Sequence, residues 1–301
     1  MPDPTKVTIA IPTFRRPEML RRALESVVRQ NYAPLEVIVA DNATEGDAVA
    51  SVIASFHGRI EDLRYVRHEQ NIGALDNFMF CLTQASGDYF MWLADDDELA
   101  ADSIAALARP LDEDPTIVTV VPHWRLKRSP EAGWVVEQRA YESHSPLVRA
   151  LRYVWRANDA FYYGLHRRRE LLTCRFPNFV WPNAGVLADT AYPYLMRLVL
   201  TGRVVAVREP WVEWINHAYT EKSYANPVPF VLYAPKHVLR RINMHVNYLG
   251  QIGRALGWLA PIIVAPVSIA SIVTELASGL WRKVLRSFGV QVEAVKPAGK
   301  R

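Results

Sequence analysis

Short apolar runs alternate with stretches of helical periodicity along the first half of the chain. Val7-Thr8-Ile9-Ala10-Ile11 reads as a buried strand. Pro17 suits the first turn of a helix, and Leu20, Leu24, Val27 and Val28 recur at helical spacing, which predicts a helix over 17–30. Leu35-Glu36-Val37-Ile38-Val39-Ala40 predicts the next strand, ending at Asp41. A helix over 45–57, a strand at Leu63–Arg67, a helix over 74–85 and a strand at Tyr89–Ala94 follow, then a helix over 100–113 and a strand at Ile117–Val121. Strands alternating with helices predict an α/β fold, a mostly parallel sheet flanked by helices on both faces. In open sheets of this kind ligands bind beyond the carboxyl ends of the strands. Asp41 and the run Asp95-Asp96-Asp97 both sit at such ends, so they are expected to converge on one crevice.

The second half is less regular. It holds a basic, aromatic region over 123–169, a helix near 186–201, a strand at Arg203–Val207 and a helical segment over 230–257. Asn226-Pro227-Val228-Pro229 marks a soft boundary near residue 225, so the chain divides into an α/β domain of 1–225 and a helical, basic, apolar extension of 226–301. Residues 255–274 carry no formal charge and approach the length of a membrane span, with Trp258 and Trp281 bracketing the stretch like interfacial anchors. Ser268, Ser271, Glu275, Ser278 and Arg282 nevertheless fall on one stripe, with Ile269, Ile272, Val273, Leu276 and Leu280 on the other face, and Pro261 and Pro266 interrupt the first part. That pattern favours an amphipathic helix lying on a membrane over a span or a helix docked on the protein.

Half of the 301 residues are hydrophobic and 22% are charged, which predicts a packed core and excludes global disorder. Cys81 and Cys174 lie far apart without metal-ligand spacing and read as buried packing residues in a reducing compartment. The N-terminus shows no basic region followed by an apolar run, so no secretory signal is expected, and the sequon Asn42-Ala43-Thr44 reads as accidental. The formal charge of +4 hides an asymmetry: residues 236–301 carry ten Lys or Arg and two acids, a net +8. Given the apolar content of the same region, this basicity suits anionic lipid and no nucleic-acid partner is expected.

Three adjacent carboxylates after the apolar segment Tyr89–Ala94 repel one another and call for a partner. A divalent cation is the expected partner, because hard cations prefer carboxylate oxygen and often share their shell with substrate phosphates. No G-x-x-x-x-G-K-[ST] loop, no G-x-G-x-x-G after the first strand, no H-E-x-x-H and no paired C-x-x-C occurs. The first strand ends instead in Ile11-Pro12-Thr13-Phe14-Arg15-Arg16.

Ile9–Arg16, Val37–Asn42, Asn71-Ile72-Gly73 and Trp92–Glu98, in that order, resemble a family 2 glycosyltransferase with the GT-A fold, closest in wording to bacterial polysaccharide and abequosyltransferase-like enzymes. The resemblance covers roughly residues 5–215 and makes 1–225 the catalytic domain. It implies a nucleotide-sugar donor, a Mg²⁺ or Mn²⁺ ion and inversion at the anomeric carbon. Asp41 would contact the donor base, Pro12, Thr13, Phe14 and Arg15 would line the nucleotide pocket, and Asn71 and Gly73 would form a turn near the donor. The D-x-D pattern maps onto Asp95 and Asp97, with Asp97 the main metal ligand; a slip of one residue would exchange Asp95 for Asp96. Leu187–Ala191, Leu195–Leu198 and Gly202–Val204 resemble the family's E-D…R-L…G-R pattern, which puts Asp189 at the position of the catalytic base, with Ala188 in place of the usual Glu. The alternative role for Asp189 is a helix cap. His217 matches a region where relatives place a metal- or phosphate-contacting His, and Lys222 is a further phosphate candidate.

The acceptor implied is a glycan or a polyprenyl-diphosphate-linked glycan. The chain is then expected in the cytoplasm at the inner face of the cell membrane, with peripheral contact through 255–286 and homo-oligomerisation left open. A sugar-phosphate nucleotidyltransferase is the rival enzyme class, though Pro12–Arg16 lacks the glycines its loop usually carries. A non-catalytic glycan-binding scaffold is the other rival, against which the intact acidic run and Asp189 argue.

Overall fold

Strand β1 (Val7–Thr13) is buried along its whole length and lies parallel to β2 (Leu35–Asp41) on one side and β4 (Tyr89–Trp92) on the other. β3 (Asp62–Arg67) extends this parallel set beyond β2. The structure, a computed structural model, describes residues 4–129, 132–136, 139–157, 160–175, 187–214 and 230–287. β6 (Ile117–Ser129), β8 (Leu165–Arg167), β9 (Arg203–Trp214) and the short β5 (Asp97–Leu99) complete one sheet in the order β3-β2-β1-β4-β8-β6-β9-β5, with β7 (Ala132–Val136) paired to β6. β8 runs antiparallel to both β4 and β6, and β5 runs antiparallel to β9, so the sheet is parallel at one end and mixed at the other.

Alternation along the central strands divides the core in two. Val7, Ile9 and Ile11 of β1, Val37 and Val39 of β2 and Met91 of β4 face one layer, packed by α1 (Pro17–Val28), α2 (Ala48–Ala54) and α4 (Ser103–Glu113). Ala10, Ile38, Ala40, Phe90 and Trp92 face the other, packed by α3 (Ala74–Gln84), α5 (Pro146–Trp155), α6 (Arg168–Leu171) and α7 (Leu187–Thr201). Each fully buried aliphatic side chain contributes about 1.5–3 kcal/mol. Cys81 and Cys174 are free and buried in this second layer, as their isolation in the sequence implied. The small side chain of Thr8, with its hydroxyl bonded to buried Glu36 (2.6 Å), leaves room for the Gly87 backbone, where any Cβ would sit 2.7 Å from Thr8 Oγ1.

The helices of the extension, α8 (Phe230–Leu256) and α9 (Leu259–Ser287), pack on α5 and α7 and add Met244, Tyr248, Ile252, Ala260 and Val264 to the same core as Trp92. Ser268 and Ser271, read in the sequence as the start of a polar face, are buried, and Ser271 Oγ donates to the Trp155 carbonyl (3.3 Å). α7 is fixed at its C-terminal end by buried Arg149, which donates to the carbonyls of Val199 (2.6 Å) and Leu200 (3.0 Å), where a helix carries its negative end.

His166 of β8 is fully buried, with Nδ1 2.9 Å from Thr119 Oγ1 and Nε2 donating to the Tyr162 carbonyl (3.1 Å). Burial holds its imidazole down, to about 4. The unfolded chain therefore binds this proton first, and the stability held by the neutral ring is lost as pH falls from the ordinary histidine value towards 4. The loss from this one group is on the order of 3 kcal/mol. His166→Gln is expected to narrow the fall in melting temperature between neutral pH and about pH 4.5. Circular-dichroism melts check this, and an unchanged fall would place the acid sensitivity elsewhere.

Candidate functional site

Three loops meet at the carboxyl ends of β1, β2 and β4. Thr13, the last residue of β1, is in register with Asp41, the last of β2, and its carbonyl accepts the Asn42 N–H (3.0 Å). The Thr13 hydroxyl donates to Asp95 Oδ2 (2.8 Å). One residue thus ties the second-strand aspartate to the acidic run that follows β4.

Ala94 to Asp97 form a turn closed by the Asp97 N–H on the Ala94 carbonyl (3.0 Å). Asp97 then opens β5, an element the apolar pattern does not predict. α1 and the residues just after it hold this strand: the Leu99 N–H donates to Ser26 Oγ (3.0 Å), and Gln30 Nε2 donates to the carbonyl of Ala100, the residue after β5 (2.9 Å). On its other side Asp97 pairs with Trp214 of β9. Asp95 and Asp97 are turned inward and buried, while Asp96 is partly exposed.

The positive charge against these three carboxylates comes from Arg16. Its Nη1 lies 3.1 Å from Asp95 Oδ1 and 3.2 Å from Asp96 Oδ2. Burial raises the Asp95 carboxyl, Thr13 and Arg16 pull it back, and Asp96 pushes it up again. Asp97 has no such help. Burial pushes its carboxyl well above the usual carboxylate range, and the charges of Asp96 and Asp95 add to the rise. Among the described residues its Oδ1, which is buried, has no hydrogen-bond partner. A buried, unpartnered carboxylate oxygen beside a second buried carboxylate fits a divalent cation. Among the described residues no three His, Cys, Asp or Glu side chains are grouped as a metal cage, so Asp97 and Asp95 would hold such an ion only with ligands from outside that set, phosphate and water being the usual ones. His217 and Lys222 lie outside the described residues.

The other wall is built by β2, β3 and the loop before α3. Asp41 is fully buried; its Oδ1 accepts the Thr44 N–H (3.0 Å) and its Oδ2 the Tyr65 hydroxyl (3.0 Å). Burial and the bond to Asp41 push the Tyr65 phenol up to about 12. Asn71 Oδ1 accepts from Asn42 Nδ2 (3.0 Å) and from the Gly73 N–H (2.9 Å), and Asn42 Oδ1 accepts the Ile72 N–H (2.9 Å). Gly73 adopts φ +88° with open space around its missing Cβ, so backbone conformation and not crowding requires glycine there. Pro12 is buried in β1 and Phe14 is half-buried. Arg15 turns at φ +58°; its N–H donates to Thr44 Oγ1 (2.9 Å), and its guanidinium covers the Phe14 ring and pairs with Glu45 (2.7 Å).

Asp189 stands in the first turn of α7, and its side chain is outside the described set. Arg16, Asn42 and Tyr65 were not singled out as site residues in the sequence. Arg16 carries a signal, a second arginine beside Arg15 before the helix-opening Pro17, and Asn42 closes the segment Val37–Asn42 that carries the family resemblance, with no role assigned to it, whereas Tyr65 is one residue of a strand.

Residues 8–180 match the model of the family described as Glycosyl transferase family 2. The chain is 30% identical over 109 residues to the Campylobacter jejuni GalNAc(5)-diNAcBac-PP-undecaprenol beta-1,3-glucosyltransferase, covering 36% of this chain and 35% of that protein. It is 32% identical over 114 residues to the abequosyltransferase RfbV of Salmonella typhimurium, covering 37% of this chain and 34% of that protein. The alignments thus span about a third of the length of these curated relatives. The fold is similar to that of S. aureus TarS 1-349 in complex with UDP-GlcNAc, with TM-score 0.59 and 17% identity over 87% of this chain and 71% of the other. The architecture is the GT-A fold, as the sequence motifs implied.

Asp97 gives a stability test of the site. A carboxyl raised by folding favours the folded state below its unfolded value, and that advantage is lost as pH rises through the raised value. The metal-free protein should therefore melt lower as pH rises, and Asp97→Asn should melt higher than wild type at neutral pH and above, by about 2–5 °C. Added Mn²⁺ should raise the melting temperature of wild type and not of the variant. Equal Mn²⁺ responses in thermal-shift measurements would remove Asp97 from the metal.

Proposed function

The chain belongs to glycosyl transferase family 2, and from that premise we propose that it moves a sugar from a nucleotide-sugar donor to a hydroxyl of a glycan or lipid-linked acceptor, with inversion at the anomeric carbon. The observation that carries this reading is the unpartnered, buried Asp97 oxygen at the carboxyl edge of the sheet, one turn from Thr13 and Asp95. A site short of positive charge at that edge suits a donor diphosphate that arrives with a cation.

Asp97 and Asp95 would hold the divalent ion, Mg²⁺ or Mn²⁺, with His217 a third candidate ligand. When bound, that ion neutralises charge developing on the departing nucleoside diphosphate. Arg16, already against Asp95 and Asp96, stands where it can exchange a carboxylate for a phosphate oxygen. Thr13, Asp41, Asn71 and Gly73 frame the nucleotide side, and a donor base would reach fully buried Asp41 only when Tyr65 or the turn at 42–44 moves aside.

Asp189 is the base in this reading. The acceptor oxygen bonds to the anomeric carbon from the face opposite the diphosphate, its proton passes to the Asp189 carboxylate, and the bond from carbon to the diphosphate oxygen breaks. An acceptor carried on a polyprenyl diphosphate would place the reaction at the inner face of the cell membrane.

Asp189→Asn is expected to retain the thermal shift given by a nucleotide sugar with Mn²⁺ and to lose turnover by about 10²–10⁴-fold. A nucleotide-sugar screen by thermal shift, followed by a transfer assay with the donor it identifies, checks both. Near-normal turnover in the variant would remove Asp189 from the base role.

A further inference from the structure

We propose that the outer face of α9, from Trp258 to Val273, docks on the surface of an anionic lipid bilayer. Ten large apolar side chains are exposed among the described residues, and all ten lie on α5, on α8, on α9 or at the turn between the last two. Six of them fall within residues 258–273: Trp258 (76% exposed), Leu259, Ile262, Ile263, Ile269 and Val273. No formal charge interrupts residues 255–274. At a rise of about 1.5 Å per residue, residues 258–273 make an apolar strip roughly 22 Å long.

The strip arises from which side of α9 the protein uses. Ala260, Val264, Ser268 and Ser271, spaced by four, four and three, are the buried positions, and three of these four are small. At the hairpin turn Gly253 faces Pro261, where a Cβ would come within 3.0 Å of Pro Cγ, and Gly257 turns at φ +90°. Small residues seat α9 on its neighbours, and the bulky aliphatic residues are left outside. The amphipathic pattern read from the sequence is therefore used the other way round: its serine side faces the protein.

The occupant follows from charge and length. Arg254 is exposed just before the strip, and the sequence of α9 holds three basic residues near its end, Arg282, Lys283 and Arg286, and one acid, Glu275. Residues 236–301 are net +8. A second copy seated on the same face would bring two such basic segments together, whereas an anionic headgroup layer is complementary to them. Among the described residues no helix is long and apolar enough to cross a membrane, so the fit is to a helix lying in the interface, with Trp258 at headgroup depth. The surface goes beyond the transfer reaction; it rests on that reading only for the consequence that it would hold the chain beside a lipid-linked acceptor.

Sedimentation of the full chain with phosphatidylcholine vesicles, with and without phosphatidylglycerol, tests this. Wild type is expected to pellet with the anionic vesicles about tenfold or more better than with neutral ones, and less well at high salt. The double variant Ile262→Glu, Ile269→Glu changes two exposed positions, so it should keep the wild-type circular dichroism and melting temperature while losing about tenfold or more in anionic-vesicle binding. Wild type staying in solution with anionic vesicles would overturn the proposal, and so would a folded double variant that pellets like wild type. Light scattering that finds a lipid-free dimer in wild type and a monomer in the variant would give the face to a second copy and overturn it too. No donor or acceptor enters this assay, so its failure would leave the transferase reading standing.

Discussion

A carboxylate taken out of water costs several kcal/mol unless charge or hydrogen bonds replace the lost solvent, and Asp97 is buried with one oxygen unpartnered among the described residues. Its neighbours make matters worse, since Asp95 and Asp96 share Arg16 and, among the described residues, leave no cation for the third carboxylate. The fold nevertheless holds Asp97 in place from several directions. Ser26 of α1 holds the strand it opens, Gln30 just beyond α1 holds the residue that follows the strand, β9 pairs with that strand, and Ala94 closes the turn before it. Held in this way, the carboxylate would be stabilised most by the proposed cation, which brings further ligands.

The sheet explains why the rest of the site gathers there. Parallel pairing of β1 with β2 and β4 puts three strand ends on one edge, and the Thr13 backbone and hydroxyl join two of them. Two cores of apolar side chains fix this edge from either face, with α1, α2 and α4 on one and α3, α5 and α7 on the other. α8 and α9 extend the second layer, and their contribution to the core leaves the bulky side of α9 facing out. The interior that positions the chemistry and the exposed apolar strip are thus consequences of the same layer packing.

Much of this was legible in the sequence because burial writes itself as periodicity. The strands at Val7, Leu35, Leu63 and Tyr89 and the helices between them appear within a few residues of their predicted bounds. The short strand Asp97–Leu99 did not, because an acidic run has no β-propensity and is strand only through its pairing with β9. Arg15 and Arg16 are chemically alike in the sequence, and a backbone turn at φ +58° sends one guanidinium to Glu45 and leaves the other on the acidic run. The Asn42–Asn71 lock joins residues far apart in sequence, so no local pattern announces it. Ser268 and Ser271 were visible as a stripe, but which side of that stripe the protein would cover depends on helices packed from elsewhere in the chain.

The Asp97 site, as proposed, is completed jointly by a cation and a diphosphate. Calorimetric titration of a panel of nucleoside diphosphates into the chain, with Mn²⁺ and with EDTA, tests this. For the diphosphate that binds best, Mn²⁺ is expected to tighten its binding by about tenfold or more, and the diphosphate to tighten Mn²⁺ binding by the same factor. Equal affinity in Mn²⁺ and in EDTA would contradict it.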